Sequence, residues 1–130
     1  MNKPVVKINR IYTDKAPATL GPYSQAIEVD GVIYISGQIA IEPNSGKILA
    51  LDIEGQAEQC CKNIEAILHS CYMGIKSVVK TTCYLVDMAD FQKFNAVYEQ
   101  HFVSKPARSC VAVRSLPAGA LCEIDAIAVK

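Results

Sequence analysis

The 130-residue sequence predicts an α+β layer, a mixed sheet of about six strands with two helices packed on one of its faces. Three observations lead there. Apolar residues recur at three- and four-residue steps in one segment after Ile53 and another after Asp90, which is the spacing of amphipathic helices. Around them lie short runs rich in Val, Ile, Thr, Tyr and Cys, residue types that suit a pleated surface. The resulting order is strands, helix, strand, helix, strands, and two helices with one-sided apolar faces are best buried together against one sheet.

Taken in order, residues 5–8 open as a short strand, and a loop punctuated by Pro17 and Gly21-Pro22 follows. Residues 25–29 and 32–36 flank Asp30-Gly31, the strongest hairpin signal in the chain, because both turn positions tolerate positive φ. Pro43-Asn44-Ser45-Gly46 makes a second turn. From residue 53 to about 72, Ala57, Cys60, Cys61, Ile64, Ile67, Leu68 and Cys71 form a stripe interleaved with Glu54, Glu58, Lys62 and Glu65, a helix stopped near Gly74. Residues 78–86 read as a strand. Asp87 or Asp90 caps a second helix whose face is Phe91, Phe94, Tyr98 and His101 or Phe102. Strands at about 108–113 and 121–129 surround the turn Leu116-Pro117-Ala118-Gly119. No repeat or linker interrupts this order, so residues 1–130 read as a single domain. Because Val and Ile occupy both alternation sets of several strands, the sheet face opposite the helices is expected to meet another subunit.

Thirteen basic residues balance thirteen acidic ones. Zero net charge and the absence of interleaved basic and aromatic residues argue against nucleic acid as the main partner. The uncharged, largely apolar stretch at residues 31–41 is about half of the ~20 apolar residues that cross a bilayer, so no membrane partner is expected. The N-terminal residues lack the apolar region of a secretory signal, which makes the cytoplasm the expected location. Without such a signal the six cysteines read as reduced, small core residues rather than a disulfide framework. In place of the paired ligands that zinc takes there is only the adjacent pair Cys60-Cys61 and the isolated His69 and His101, and the two histidines have no Ser or Cys partner at triad spacing.

If residues 116–119 close a hairpin, Ala112 faces Glu123 and Cys110 faces Asp125, which places Arg108, Cys110, Glu123 and Asp125 on one sheet face. Such a face reads as a small anion site, with Arg108 holding a carboxylate and Glu123 orienting or deprotonating water. It reads equally as an ion pair between strands. Asn95 falls on the buried helix face with Phe91 and Tyr98 and needs partners for its amide, in a ligand site or in the core. Tyr23, after Gly21-Pro22, is a pocket hydroxyl or a loop aromatic. Ser36-Gly37 marks a close approach to a ligand or a bulge.

Six segments together resemble the RidA family (reactive intermediate deaminase, also called YjgF). They are Ala18-Thr19-Leu20-Gly21-Pro22-Tyr23-Ser24-Gln25-Ala26, Ile35-Ser36-Gly37-Gln38-Ile39, Val79-Lys80-Thr81-Thr82-Cys83, Phe94-Asn95-Ala96-Val97-Tyr98, Pro106-Ala107-Arg108-Ser109-Cys110, and the run from Leu116 through Glu123-Ile124-Asp125 to Ala128. The resemblance implies a chorismate-mutase-like fold, a homotrimer with sites in clefts between subunits, and no metal or organic cofactor. It also implies hydrolysis of 2-iminobutanoate and 2-iminopropanoate to 2-oxo acids and ammonia. By motif position Arg108 matches the arginine that binds the substrate carboxylate and Glu123 the acid near the hydrolytic water, while Tyr23, Ser36, Gly37, Asn95 and Cys110 match other members of the cleft. Cys110 reads as a wall, since imine hydrolysis needs no covalent nucleophile. Lys105 departs from the aromatic that many members carry before Pro-Ala-Arg, which bears on substrate range. Other members are described as endoribonucleases, translation inhibitors, holdases or ligand binders, and Arg108 with Glu123 favours the deaminase among these.

Overall fold

The computed structural model describes residues 5–130. Six strands form one mixed sheet in the order β1-β2-β3-β8-β6-β7, and β4 (Ile41–Glu42) with β5 (Lys47–Ile48) forms a separate ribbon. β1 spans Ile8–Ile11, later than residues 5–8; its ladder runs from Ile8 opposite Val29 to Ile11 opposite Ala26, so the partner strand sets its limits. β2 (Ala26–Val29) and β3 (Val32–Gln38) are joined as expected through Asp30 at φ 50° and Gly31 at φ 80°, the two positive-φ positions of a tight hairpin turn.

α1 runs Ile53–Ser70, capped by the Asp52 carboxylate accepting from the Gly55 amide at 2.8 Å. It ends on Tyr72 at φ 60°, not on Gly74, with the Met73 amide donating to the Leu68 carbonyl at 3.0 Å, a left-handed cap filled by a fully exposed aromatic instead of glycine. α2 runs Phe91–His101 with Asp90 at its N-cap position but making no side-chain cap bond, while Asp87 caps the preceding 3₁₀ turn by accepting from the Ala89 amide at 2.9 Å. β6 (Val78–Leu85) pairs parallel with β7 (Ala107–Ala112) through α2, and antiparallel with β8 (Cys122–Val129).

That pairing corrects the expected final hairpin. β6 lies between β7 and β8, so residues 116–119 connect strands that do not touch. A strand that follows a crossover helix returns parallel to the one before it and takes the free edge. From Cys122 to Ala128, β8 alternates between buried and half-buried residues, and the strand is paired on both sides.

Both helices pack on one face. Ala57, Cys60, Cys61, Ile64, Ile67 and Leu68 of α1 and Phe94, Tyr98 and Phe102 of the second helical segment close over Ile33, Ile35, Cys83, Leu85, Ile124 and Ala126. Burying side chains of this size contributes about 1.5–3 kcal/mol each before the entropy cost of ordering them. Tyr34, Val111 and Val129 on the opposite face are left exposed. All six cysteines are free thiols; Cys60, Cys61, Cys83 and Cys122 are buried. Among the described residues no helix is long and apolar enough to cross a membrane, and no group of three or more His, Cys, Asp or Glu side chains converges to hold a metal.

Candidate active site

The register of the sheet decides which candidate residues meet. Arg108 lies level with Thr81 and Ala126, and Cys110 with Cys83 and Ile124, all on the helix-covered face. Glu123 lies level with Tyr84 and Val111, and Asp125 with Thr82 and Ser109, on the opposite face. The expected single face bearing Arg108, Cys110, Glu123 and Asp125 is therefore wrong by one position: Cys110 stands across from Ile124, not Asp125, and a slip of one residue turns every side chain over. Within one chain the arginine and the glutamate lie on opposite faces of the sheet, in two separate candidate half-sites.

The glutamate half-site is a cavity of about 270 Å³ lined by Leu20, Tyr23, Gly37, Ile39, Pro117 and Glu123 among others. Its entrance is shaped by a β-bulge in β3 between Ile35 and Gln38, where Ser36 donates its hydroxyl to the Ser24 carbonyl at 2.6 Å and its amide to the Gln25 carbonyl at 3.0 Å. Ser36 thus ties the Tyr23 loop to the strand. Gly37 makes room for Glu123, since a Cβ there would come within 2.7 Å of the Glu123 Cδ. The Tyr23 hydroxyl accepts from the Leu20 amide at 3.2 Å. Burial raises the Glu123 carboxyl above the ordinary carboxylate value, and the nearby Asp125 raises it further.

Gln25 supports this wall in a way the sequence reading missed. Its buried amide accepts from the Thr13 amide at 2.7 Å and donates to the Thr13 and Pro17 carbonyls at 3.0 and 2.8 Å. Asn63 of α1 does the same for the far wall, donating to the Ile39 and Ile41 carbonyls at 3.1 and 2.9 Å. An amide on a helix stripe that is otherwise apolar was the available signal, because a buried amide has to find backbone partners.

The arginine half-site is a groove of about 300 Å³ lined by Asn95, Tyr98, Glu99, Phe102, Lys105, Pro106 and Arg108. The Arg108 guanidinium donates to the Asn95 side-chain oxygen at 2.6 Å and lies 4.7 Å from the Tyr98 ring centroid and 5.6 Å from that of Phe91. Tyr98 is fixed in turn by a 2.7 Å hydrogen bond with the Thr81 hydroxyl and by stacking on Phe102 at 4.4 Å. Cation–π contacts of this kind contribute about 0.5–2 kcal/mol and hold the guanidinium flat. Among the described residues the ion pairs are His101–Glu58 and Lys130–Glu28, so Arg108 is oriented by neutral groups and forms no ion pair, with Glu99 elsewhere in the lining of the same groove. Cys110 follows on the same face, and burial raises its thiol, opposed by Arg108; this favours the protonated thiol over a reactive thiolate.

With this geometry in place, the comparison with known proteins is decisive. The sequence model of the family described as Endoribonuclease L-PSP matches residues 13–130. The chain belongs to this family, the RidA/YjgF family. A RutC family protein of Pyrococcus abyssi is 48% identical over 121 residues, covering 92% of this chain and 95% of the relative. The 2-iminobutanoate/2-iminopropanoate deaminase of Mus musculus is 46% identical over 121 residues, covering 92% of this chain and 90% of the relative. The crystal structure of the Escherichia coli YjgF gene product superposes with a TM-score of 0.89 at 39% identity, covering 94% of this chain and 98% of that one. Names within the RidA family thus include both a ribonuclease and a deaminase, and the reaction has to be argued from the site.

Proposed function

We propose that this protein hydrolyses reactive 2-imino acids, 2-iminobutanoate and 2-iminopropanoate among them, to 2-oxo acids and ammonia. The observation that carries this reading is the guanidinium of Arg108, held by the Asn95 side-chain oxygen and the Tyr98 ring and, among the described residues, engaged in no ion pair. Such a fork suits the planar carboxylate of a small 2-imino acid. Glu123, whose carboxyl is raised above the ordinary carboxylate value by burial, is suited to take a proton and give it back.

Because the two half-sites lie on opposite faces of one sheet, a complete site calls for Arg108 from one copy and Glu123 from another. A homotrimer of chorismate-mutase-like single domains, residues 1–130 each, provides three such clefts. The exposed Tyr34, Val111 and Val129 on the outer sheet face support that assembly. The cytoplasm is its proposed location, with a small carboxylate-bearing molecule rather than nucleic acid as its partner.

In the proposed reaction Arg108 with Asn95 holds the carboxylate. Water attacks the protonated imine carbon while Glu123 accepts a proton from it, giving a carbinolamine. Glu123 returns that proton to nitrogen, the C–N bond breaks, and the hydroxyl proton leaves with nitrogen as ammonium as the 2-oxo acid forms. The protonated imine is electrophilic already, so positioning and one proton relay suffice and no cofactor is called on. Tyr23, Ser36 and Gly37 shape the water side of the cleft, and Cys110 lines the side next to Arg108.

The test is a coupled assay in which a dehydratase generates 2-iminobutanoate and 2-oxobutanoate formation is followed with and without this protein. Acceleration is expected; a rate equal to that of buffer would overturn the reading. Light scattering should give a mass close to three times the 14.1 kDa chain, and a monomer at micromolar concentration would contradict the trimer. Cys110→Ala is expected to keep most of the activity, because a protonated wall thiol takes no part in the chemistry; complete loss with the fold intact would contradict that role.

A further inference from the structure

On the outer sheet face beside Glu123 stands a second carboxylate that the reaction above does not use. Asp125 is two residues along β8, and so on the same face as Glu123. It is held firmly: the Tyr84 hydroxyl donates to one of its oxygens at 3.0 Å and the Thr82 amide to the other at 3.2 Å. Tyr84 in turn stands directly across from Glu123 in the β6–β8 ladder. Resting on the proton-relay role of Glu123 above, we infer that Asp125 is a positioning residue, whose anchored negative charge sets how tightly Glu123 holds its proton.

The surroundings of Glu123 leave few competing charges. From β8 comes Asp125, from β6 the Tyr84 hydroxyl and, beyond Thr82, the Lys80 ammonium, which donates to the Ser109 hydroxyl at 3.4 Å, from the loop before β2 the Tyr23 hydroxyl, and from α1 the Cys60 thiol behind the sheet. Burial raises the Tyr84 hydroxyl and its bond to Asp125 raises it further, so Tyr84 stays a neutral donor. Cys60 is likewise held protonated by its contact with Cys122 and by burial. Asp125 is therefore the one acidic side chain on this face that bears directly on Glu123. In the proposed assembly Arg108 of a second copy adds a positive charge, and it does so equally in wild type and in position-125 variants. A carboxylate that first accepts a proton from water and then returns it works best when its affinity for protons lies near the working pH.

The experiment is a titration of the Glu123 side-chain carboxyl by ¹³C NMR in the ligand-free protein, assigned with Glu123→Gln, alongside the pH profile of kcat/KM. Asp125→Asn keeps the size and can still accept a hydrogen bond but removes the charge. It is expected to move the Glu123 midpoint and the acid limb of the profile to lower pH together, by about half a unit to one unit. Asp125→Thr, a good strand former, should do the same where the Asn chain fails to fold. Asp125→Glu retains the charge and should stay within a few tenths of a unit of wild type. A purely structural Asp125 makes the opposite pattern, with Asn close to wild type and the longer Glu disruptive; that pattern, or a Glu123 midpoint that does not move in the Asn and Thr variants, overturns the inference. If the midpoint shifts as stated while wild type hydrolyses no imine, the electrostatic role stands and the deaminase reading is what fails.

Discussion

Arg108→Ala is expected to lower kcat/KM for 2-iminobutanoate at least about tenfold, because a charge-assisted contact to a substrate carboxylate contributes on the order of 1.5–3 kcal/mol. The loss should be greater than the loss of one neutral hydrogen bond for a further reason. In the free protein the guanidinium is already held by Asn95 and Tyr98, so little of its binding energy is spent on ordering a flexible side chain. Arg108→Lys should restore little, since a point charge cannot reproduce the planar fork or its position over the Tyr98 ring. Steady-state kinetics on both variants, with trimer mass as the control, checks this; wild-type kcat/KM in Arg108→Ala would remove the carboxylate-binding role.

The larger loss is expected at Glu123. Glu123→Gln preserves shape in the tight space beside Gly37 but cannot accept a proton, so kcat should fall by about 10²–10⁴, while the affinity for a 2-oxo acid product should change only a few-fold. Gly37→Ala reaches the same carboxyl from outside. The added methyl requires Glu123 to move, so kcat should drop about tenfold or more with the substrate's carboxylate contact intact. Equal losses in kcat and in product affinity for Glu123→Gln would point to a binding group rather than a proton carrier.

Much of this was legible in the sequence, and what was not has a physical reason. The Asp30-Gly31 turn and the α1 stripe are local signals, and they appear where the residues put them. The end of α1 was misplaced because Gly74 looked like the stop, whereas Tyr72 adopts the left-handed position itself. The misreading of consequence was the last hairpin. Strands near in sequence were paired, although β7 follows a crossover helix and β8 fits between β3 and β6. Side-chain parity depends on the partner strand, so this single choice moved Arg108 and Glu123 onto one face when they occupy two. Residue types and motifs mark the individual candidate residues; only non-local pairing shows that Arg108 and Glu123 lie on opposite faces of the sheet.

The division into halves also allows a direct test of the whole account. Arg108→Ala and Glu123→Gln subunits, each strongly impaired alone, are mixed in equal amounts, dissociated and reassembled. If every cleft takes Arg108 from one copy and Glu123 from its neighbour, about a quarter of the clefts regain both intact groups, and iminobutanoate hydrolysis should return to about a quarter of the wild-type rate. A reassembled mixture that forms mixed trimers and stays as inactive as its parents would contradict a deaminase site shared between subunits.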